Sequence, residues 1–193
     1  SLNEILQVDY SEKTTSYTIG ISSDEDIEDI INRTPQAEYF KLKVNESEIG
    51  RIINKYSSLT SKPFVVDANQ GFKDYNKAKY WAKKLYDKGV SYFEQPFHRD
   101  DFESHKRLKN DVKIPIVADE SFQRLKDIDK VHNSFDGINV KIIKTGGVLE
   151  AKECLLRAKH LELKTVLGCM SGSSTSIKTA STLVGLSDYV DLD

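Results

Sequence analysis

Cysteine is scarce in this chain. Cys154 and Cys169 are the two in 193 residues. Their spacing matches no metal or redox pattern, so no disulfide framework or thiolate metal centre is expected, and two free thiols in a reducing cytoplasm are. No apolar run approaches the length of a membrane span, and the start, SLNEILQVDYSEK, lacks the charged-then-apolar pattern of a signal segment. Charge of one sign is missing too. The formal net charge is −2 and no basic stripe dominates any segment, which argues against nucleic acid as a partner. Linkers, low-complexity tracts and clear internal repeats are absent. No G-x-G-x-x-G turn follows the first apolar segment, which weighs against a dinucleotide-binding fold.

Apolar residues make up 38% and charged residues 30%, the balance of one soluble globular domain that buries a core. The dominant pattern is alternation. TSYTIGI (15–21), YFKLKV (39–44), FVVDANQ (64–70), SYFEQP (91–96), IPIVADE (114–120), GINVKII (137–143), KTVLGCM (164–170) and DYVDLD (188–193) read as strands. The segments between them carry helical spacing, as in Ile27, Ile30 and Ile31, or in Tyr75, Ala78, Trp81, Ala82 and Leu85, which Gly89 brings to a stop. Eight strands with seven intervening helices predict an α/β fold with a parallel sheet, and favour a (β/α)7β TIM-type barrel over an open doubly wound sheet.

Chemistry in such a barrel gathers at the C-terminal ends of the strands. The second strand ends in Lys41 and Lys43, which share one face because side chains alternate. The next three strands each end in a carboxylate: Asp67, Glu94 and Asp119. Three converging carboxylates repel one another unless a hard cation lies between them, and oxygen-only ligation suits Mg2+. The sixth strand carries Lys141, with Lys144 just beyond. Two lysines on opposite faces of a metal-bound carboxylate substrate can remove and return the proton on the adjacent carbon and so invert it, with the cation stabilising the enediolate. Lys41, a like charge beside Lys43, is expected to tune it. Helix caps, snorkelling lysines and a solvated acidic terminus are the bland readings of these same residues. His98, His105, His132 and His160 show no ligand spacing.

The motifs Lys41-x-Lys43, Asp67-Ala68-Asn69, Glu94-Gln95-Pro96, Asp119-Glu120-Ser121 and Asn139-Val140-Lys141, continuing into Lys144-Thr145-Gly146-Gly147, resemble those of the enolase superfamily. Within it they are most similar to the muconate-lactonizing-enzyme-like subgroup and its dipeptide epimerases. The resemblance implies the modified (β/α)7β barrel, Mg2+ on Asp67, Glu94 and Asp119, and Lys43 and Lys141 as the acid/base pair. It implies Asn69 and Glu120 as supporting groups. The ending Asp191-Leu192-Asp193 resembles the D-x-D motif that meets the α-ammonium group of a dipeptide, and Cys169-Met170-Ser171-Gly172-Ser173 resembles the loop after the seventh strand, which places Met170 at the substrate.

The implied activity is a Mg2+-dependent 1,1-proton transfer, epimerisation of a dipeptide such as one of the L-Ala-D/L-Glu type. A cycloisomerase or syn-dehydratase of the same superfamily, or an inactive barrel serving as a structural unit, are the alternatives. The partner expected is a small-molecule dipeptide, with neither nucleic acid nor membrane, and a homo-oligomer is compatible with the sequence. Residues 1–193 are expected to be the catalytic barrel domain alone, lacking the family's N-terminal capping domain and C-terminal tail.

Overall fold

The computed structural model describes residues 1–9 and 11–192. Eight strands alternate with helices: β1 Tyr17–Ile19, β2 Phe40–Lys43, β3 Phe64–Asp67, β4 Phe93–Glu94, β5 Ile116–Ala118, β6 Gly137–Lys141, β7 Lys164–Gly168 and β8 Tyr189–Asp191. They form one sheet in the order β1-β2-β3-β4-β5-β6-β7-β8. The pairings are parallel, as in β2 with β3 and β6 with β7. This is the strand order and alternation of the (β/α) barrel class that the sequence predicts. The helices are α1 Leu2–Leu6, α2 Asp24–Arg33, α3 Ile49–Leu59, α4 Tyr75–Asp87, α5 Phe102–Asp111, α6 Ile128–His132, α7 Val148–His160 and α8 Ser174–Ser181.

The strands are shorter than their apolar runs suggest, because the chain turns as soon as its functional side chain is placed. After β3, Asn69 and Gln70 take left-handed conformations (φ 42° and 65°), so the predicted strand to residue 70 ends at Asp67. Gly71 closes that turn, since a β-carbon there would lie 2.7 Å from the Ala68 carbonyl oxygen. The segment SFQRLKDIDKVHN between β5 and β6 is divided into a 3-10 turn, Leu125–Asp127, and the five residues of α6. The sequence reading missed α1, which precedes the first strand. Its start is set by Ser1, whose hydroxyl accepts from the Glu4 amide in a capping box.

The chain divides into two compact units, residues 16–116 and residues 1–15 with 117–193. In the first, the outward-facing side chains of β2 and β3 pack beneath α3. Phe40 meets Tyr56 edge-on at 5.6 Å, and Tyr56 meets Phe64 at 5.0 Å. Helix α4 turns Ala78, Ala82 and Leu85 inward, as its spacing predicts, and leaves Tyr75 and Trp81 half-buried at the edge of that face. In the second unit, α7 covers β6 and β7 with Ala151, Cys154, Leu155 and Ala158. Burial raises the Cys154 thiol pKa to about 12, the behaviour of an inert core cysteine.

Candidate active site

In the first unit, the strand register brings three predicted residues level. Lys43 pairs with Asp67, and Asp67 pairs with Glu94. Registered partners in a parallel sheet put their side chains on the same face, so the row follows directly from the pleat. Lys41 lies one pleat earlier on β2 and reaches up to the same row. Its ammonium is 3.1 Å from Asp67 Oδ2 and 2.9 Å from Glu94 Oε2, with all three side chains no more than 3% exposed. Lys43 is half-buried. The expected interior face of YFKLKV is therefore present, and Phe40, Leu42 and Val44 fill the opposite, buried face. Lys41 does more than sit beside Lys43, because its ammonium bridges two carboxylates that repel each other.

The turns after β3 and β4 hold this row in place. The backbone N–H of Asn69 donates to Asp67 Oδ1 at 2.9 Å. Asn69 thus supports the site through its main chain, and its side chain is exposed. The Ala68 N–H donates to the Glu94 carbonyl at 3.0 Å, and the Gln70 N–H to the Gln95 carbonyl at 2.8 Å. Under the Glu94-Gln95-Pro96 turn lies His105, fully buried, to which the sequence assigns no role. Its Nδ1 donates to the Asp101 carbonyl at 2.7 Å, and its Nε2 accepts from the Phe97 amide at 3.3 Å. Those bonds fit one neutral tautomer, and burial lowers the ring's pKa to about 4. The ten-residue gap between Gln95 and His105 spans a loop and a helix start, so no spacing rule could have flagged this support.

The second unit carries a matching cluster. Asp119 follows β5 and its carboxylate is held by two lysines: Lys141 Nζ reaches Oδ2 at 2.6 Å and Lys144 Nζ reaches Oδ1 at 2.6 Å. Burial works against ionisation of this carboxyl, but the ammonium groups of Lys144 and Lys141 overcome it and hold its pKa well below the usual carboxylate range. Lys144, just beyond β6, also donates to the carbonyls of Asp119 at 2.8 Å and Asn139 at 2.9 Å. The turn from Lys141 to Gly147 folds it back, with the Lys144 and Thr145 amides both donating to the Lys141 carbonyl. A second lysine three residues beyond the first was the available signal.

Lys141 on β6 is level with Gly168 on β7, and Gly168 with Asp191 on β8. Lys141 and Asp191 are each 6% exposed. Glu120 is half-buried beside Asp119, and Met170, past the end of β7, is 48% exposed. Asp193 lies outside the described residues. Among the described residues, no three His, Cys, Asp or Glu side chains gather into a metal-holding group. Each of Asp67, Glu94 and Asp119 instead faces an ammonium. The donor chemistry still fits a hard cation, since all three offer buried carboxylate oxygens and each already engages positive charge.

Comparison with known proteins agrees with this fold. A curated L-Ala-D/L-amino acid epimerase of Flavobacterium johnsoniae is 35% identical over 181 residues, covering 93% of this chain and 53% of that protein. The substrate-liganded L-Ala-D/L-Glu epimerase of Bacillus subtilis superposes with a TM-score of 0.91 at 25% identity, over 100% of this chain and 57% of that one. A dipeptide epimerase of Cytophaga hutchinsonii, solved with Mg and D-Ala-L-Val, shares the fold with a TM-score of 0.89 at 21% identity, over 98% and 55%. The chain thus spans about half the length of the relatives it matches. Residues 33–186, from the end of α2 to the last turn before β8, match the model of the enolase C-terminal domain-like family, and the chain belongs to that family.

Proposed function

We propose that this chain carries the catalytic barrel of a Mg2+-dependent isomerase that epimerises a dipeptide at the carbon next to its terminal carboxylate. The observation that carries the reading is the pair of rows: Lys43 level with Asp67 and Glu94, and Lys141 tied to Asp119 and level with Asp191. The curated and solved epimerases support the choice of substrate class. Asp67, Glu94 and Asp119 would hold the Mg2+, whose charge, when bound, acidifies the carbon–hydrogen bond beside a substrate carboxylate.

The chain's own residues do the rest. Lys43 takes the α-proton at its Nζ. Lys141, held as an ammonium by Asp119, delivers a proton to the other face of the same carbon. The net change is inversion, with one proton removed and one returned. Lys41 keeps Asp67 and Glu94 apart from mutual repulsion, and Asn69 and Glu120 support the neighbouring ligands. Asp191, with Asp193 two residues on, accepts the dipeptide's α-ammonium group in a charge-assisted hydrogen bond. That buried carboxylate favours an ammonium-bearing substrate over the acids that cycloisomerases and dehydratases take. Met170 borders the substrate side chain.

The test is incubation with Mg2+ and L-Ala-L-Glu, then a wider dipeptide panel, in D2O, following the C-terminal α-proton by NMR. Exchange accompanied by epimerisation is expected, and Lys43→Ala and Lys141→Ala each abolish inversion, with exchange from a single face retained in one of them. Absence of exchange with every dipeptide would refute the reading.

A further inference from the structure

His105, on α5, is a polar side chain with no exposure, packed beneath the turn that follows β4. An aliphatic residue would fill that space without the cost of desolvating an imidazole. What the ring supplies instead is an acceptor. Its Nδ1 is tied to the Asp101 carbonyl at 2.7 Å, which leaves the Nε2 lone pair aimed at the turn. Two donors converge there. The Phe97 amide lies at 3.3 Å, and the Gln95 side-chain nitrogen, which also reaches the Phe97 carbonyl at 3.1 Å, lies at 3.4 Å. The Phe97 ring closes edge-on over the imidazole at 5.3 Å. Gln95 itself is fully buried at φ 38°, a left-handed conformation that L side chains seldom adopt. With the chain turned that way, the Gln95 carbonyl accepts from the Gln70 amide at 2.8 Å and the Pro96 carbonyl from the Phe72 amide at 2.9 Å. The turn after β4 is thereby laced to the turn after β3, where the Asn69 amide holds Asp67 Oδ1. One imidazole nitrogen underlies both loops that present Asp67 and Glu94.

We infer that His105 is a positioning residue for the metal site: its Nε2 acceptor, by fixing the Gln95–Phe97 turn, sets the spacing of Asp67 and Glu94 and with it the affinity for Mg2+. The inference rests on the proposed function, which makes those two carboxylates ligands. Mg2+ demands near-ideal octahedral geometry, with oxygens at about 2.0–2.1 Å, so a small displacement of one carboxylate is felt in binding. Glu94 is the residue before Gln95. Relaxation of that left-handed backbone toward ordinary extended geometry swings the end of β4 relative to β3. The ring must be neutral to accept, and burial, which lowers its pKa to about 4, keeps it so. His105 acts through Gln95 and Phe97, not by contact with the reacting atoms.

The experiment replaces the ring by each of its halves. Glutamine puts an amide oxygen near the place of Nε2 and so keeps the acceptor. Asparagine puts an amide nitrogen near the place of Nδ1 and keeps only the bond to Asp101. Wild type, His105→Gln and His105→Asn are titrated with Mg2+ alone by calorimetry, and the thermal midpoint of each metal-free protein is measured alongside. His105→Asn is expected to bind Mg2+ at least about tenfold more weakly than wild type, and His105→Gln within about threefold of it, although both midpoints fall. A ring that only packs gives a different pattern, with affinity following the midpoint whichever half is kept. Binding by His105→Asn within about threefold of wild type, or equal weakening in both variants, would overturn the inference. Where either variant does not fold, Gln95→Met decides, since it removes the donor to the imidazole and keeps the side-chain length: weaker Mg2+ binding supports the positioning role, and wild-type binding refutes it. A wild type that binds no Mg2+ removes the proposed ligands and the inference together, whereas failure of the inference alone leaves wild-type binding intact.

Discussion

Replacing Lys144 by methionine tests whether the turn after β6 is a connector or a clamp. The substitution keeps the aliphatic length and its packing near Phe122, over whose ring the ammonium lies at 5.7 Å. It removes the donor from three oxygens: Asp119 Oδ1, the Asp119 carbonyl and the Asn139 carbonyl. The Lys144 side chain is 4% exposed, so water cannot readily replace it. Stranding a buried acceptor costs about 1–3 kcal/mol, and breaking a buried ion pair by deleting one partner costs about 3–5 kcal/mol. Asp119 keeps Lys141 at 2.6 Å, which draws the sum toward the lower end, about 3–4 kcal/mol. With a urea slope of about 2 kcal/mol per molar, the unfolding midpoint falls by roughly 1.5–2 M. The control is Lys55→Met, which deletes an ion pair of similar length, 2.7 Å to Glu28, but on the surface, and is expected to leave the midpoint where it is. The assay is urea unfolding followed by circular dichroism. A shift below about 0.5 M for Lys144→Met would refute the clamp, because it would mean that desolvating the ammonium offsets all three bonds.

Further expectations concern pH. Burial sets the folded-state pKa of His105 at about 4, below its ordinary 6.5, so between those values the unfolded chain binds the extra proton and stability falls as pH drops. Proton NMR should show the His105 ring neutral down to about pH 4, and His105→Gln should flatten the stability profile across that window. Glu46 bridges to the start of α4. The hydrogen bond from Lys77, and then those from the Asp74 and Lys73 amides, lower its pKa from 4.5 to about 2. Its contribution is complete above pH 4.5 and is lost as pH falls toward 2, so the acid slope of the thermal midpoint should be shallower in Glu46→Gln over that range.

The alternation of apolar strands and helices, and the carboxylate or lysine at the ends of β2 to β6 and of β8, were legible because both are local. One residue's position in a strand and its spacing to a turn are written in the chain itself. Lys43, Asp67 and Glu94 could be placed level from sequence because parallel strands of one barrel share their register. What stayed hidden depends on long-range geometry. His105 meets Gln95 and Phe97 only after a loop and a helix start fold back over the turn. The coupling of Asn139 to Gly168 joins residues 29 apart through a contact between adjacent strands, and glycine in a strand has no sequence signature that distinguishes a packing need from a bulge. Lys144 was visible as a residue but not as a ligand, because the sharpness of its turn decides where its ammonium ends.

The charge pattern explains why such a site can be buried at all. In the first unit Lys41 and Lys43 accompany Asp67 and Glu94, and in the second Lys141 and Lys144 accompany Asp119 and Asp191. The four side chains named in each unit sum to zero formal charge. An isolated charge moved out of water costs several kcal/mol even after relaxation, so neither half could carry an unbalanced set without a compensating ion. Balanced in this way, each cluster is stable as folded, with Lys41, Lys141 and Lys144 already within hydrogen-bond distance of carboxylates. Charge-reversing only one side, as in Asp119→Lys, should therefore be far more damaging than the matched loss of Asp119 and Lys141 together, and double-mutant unfolding measurements separate the two outcomes directly.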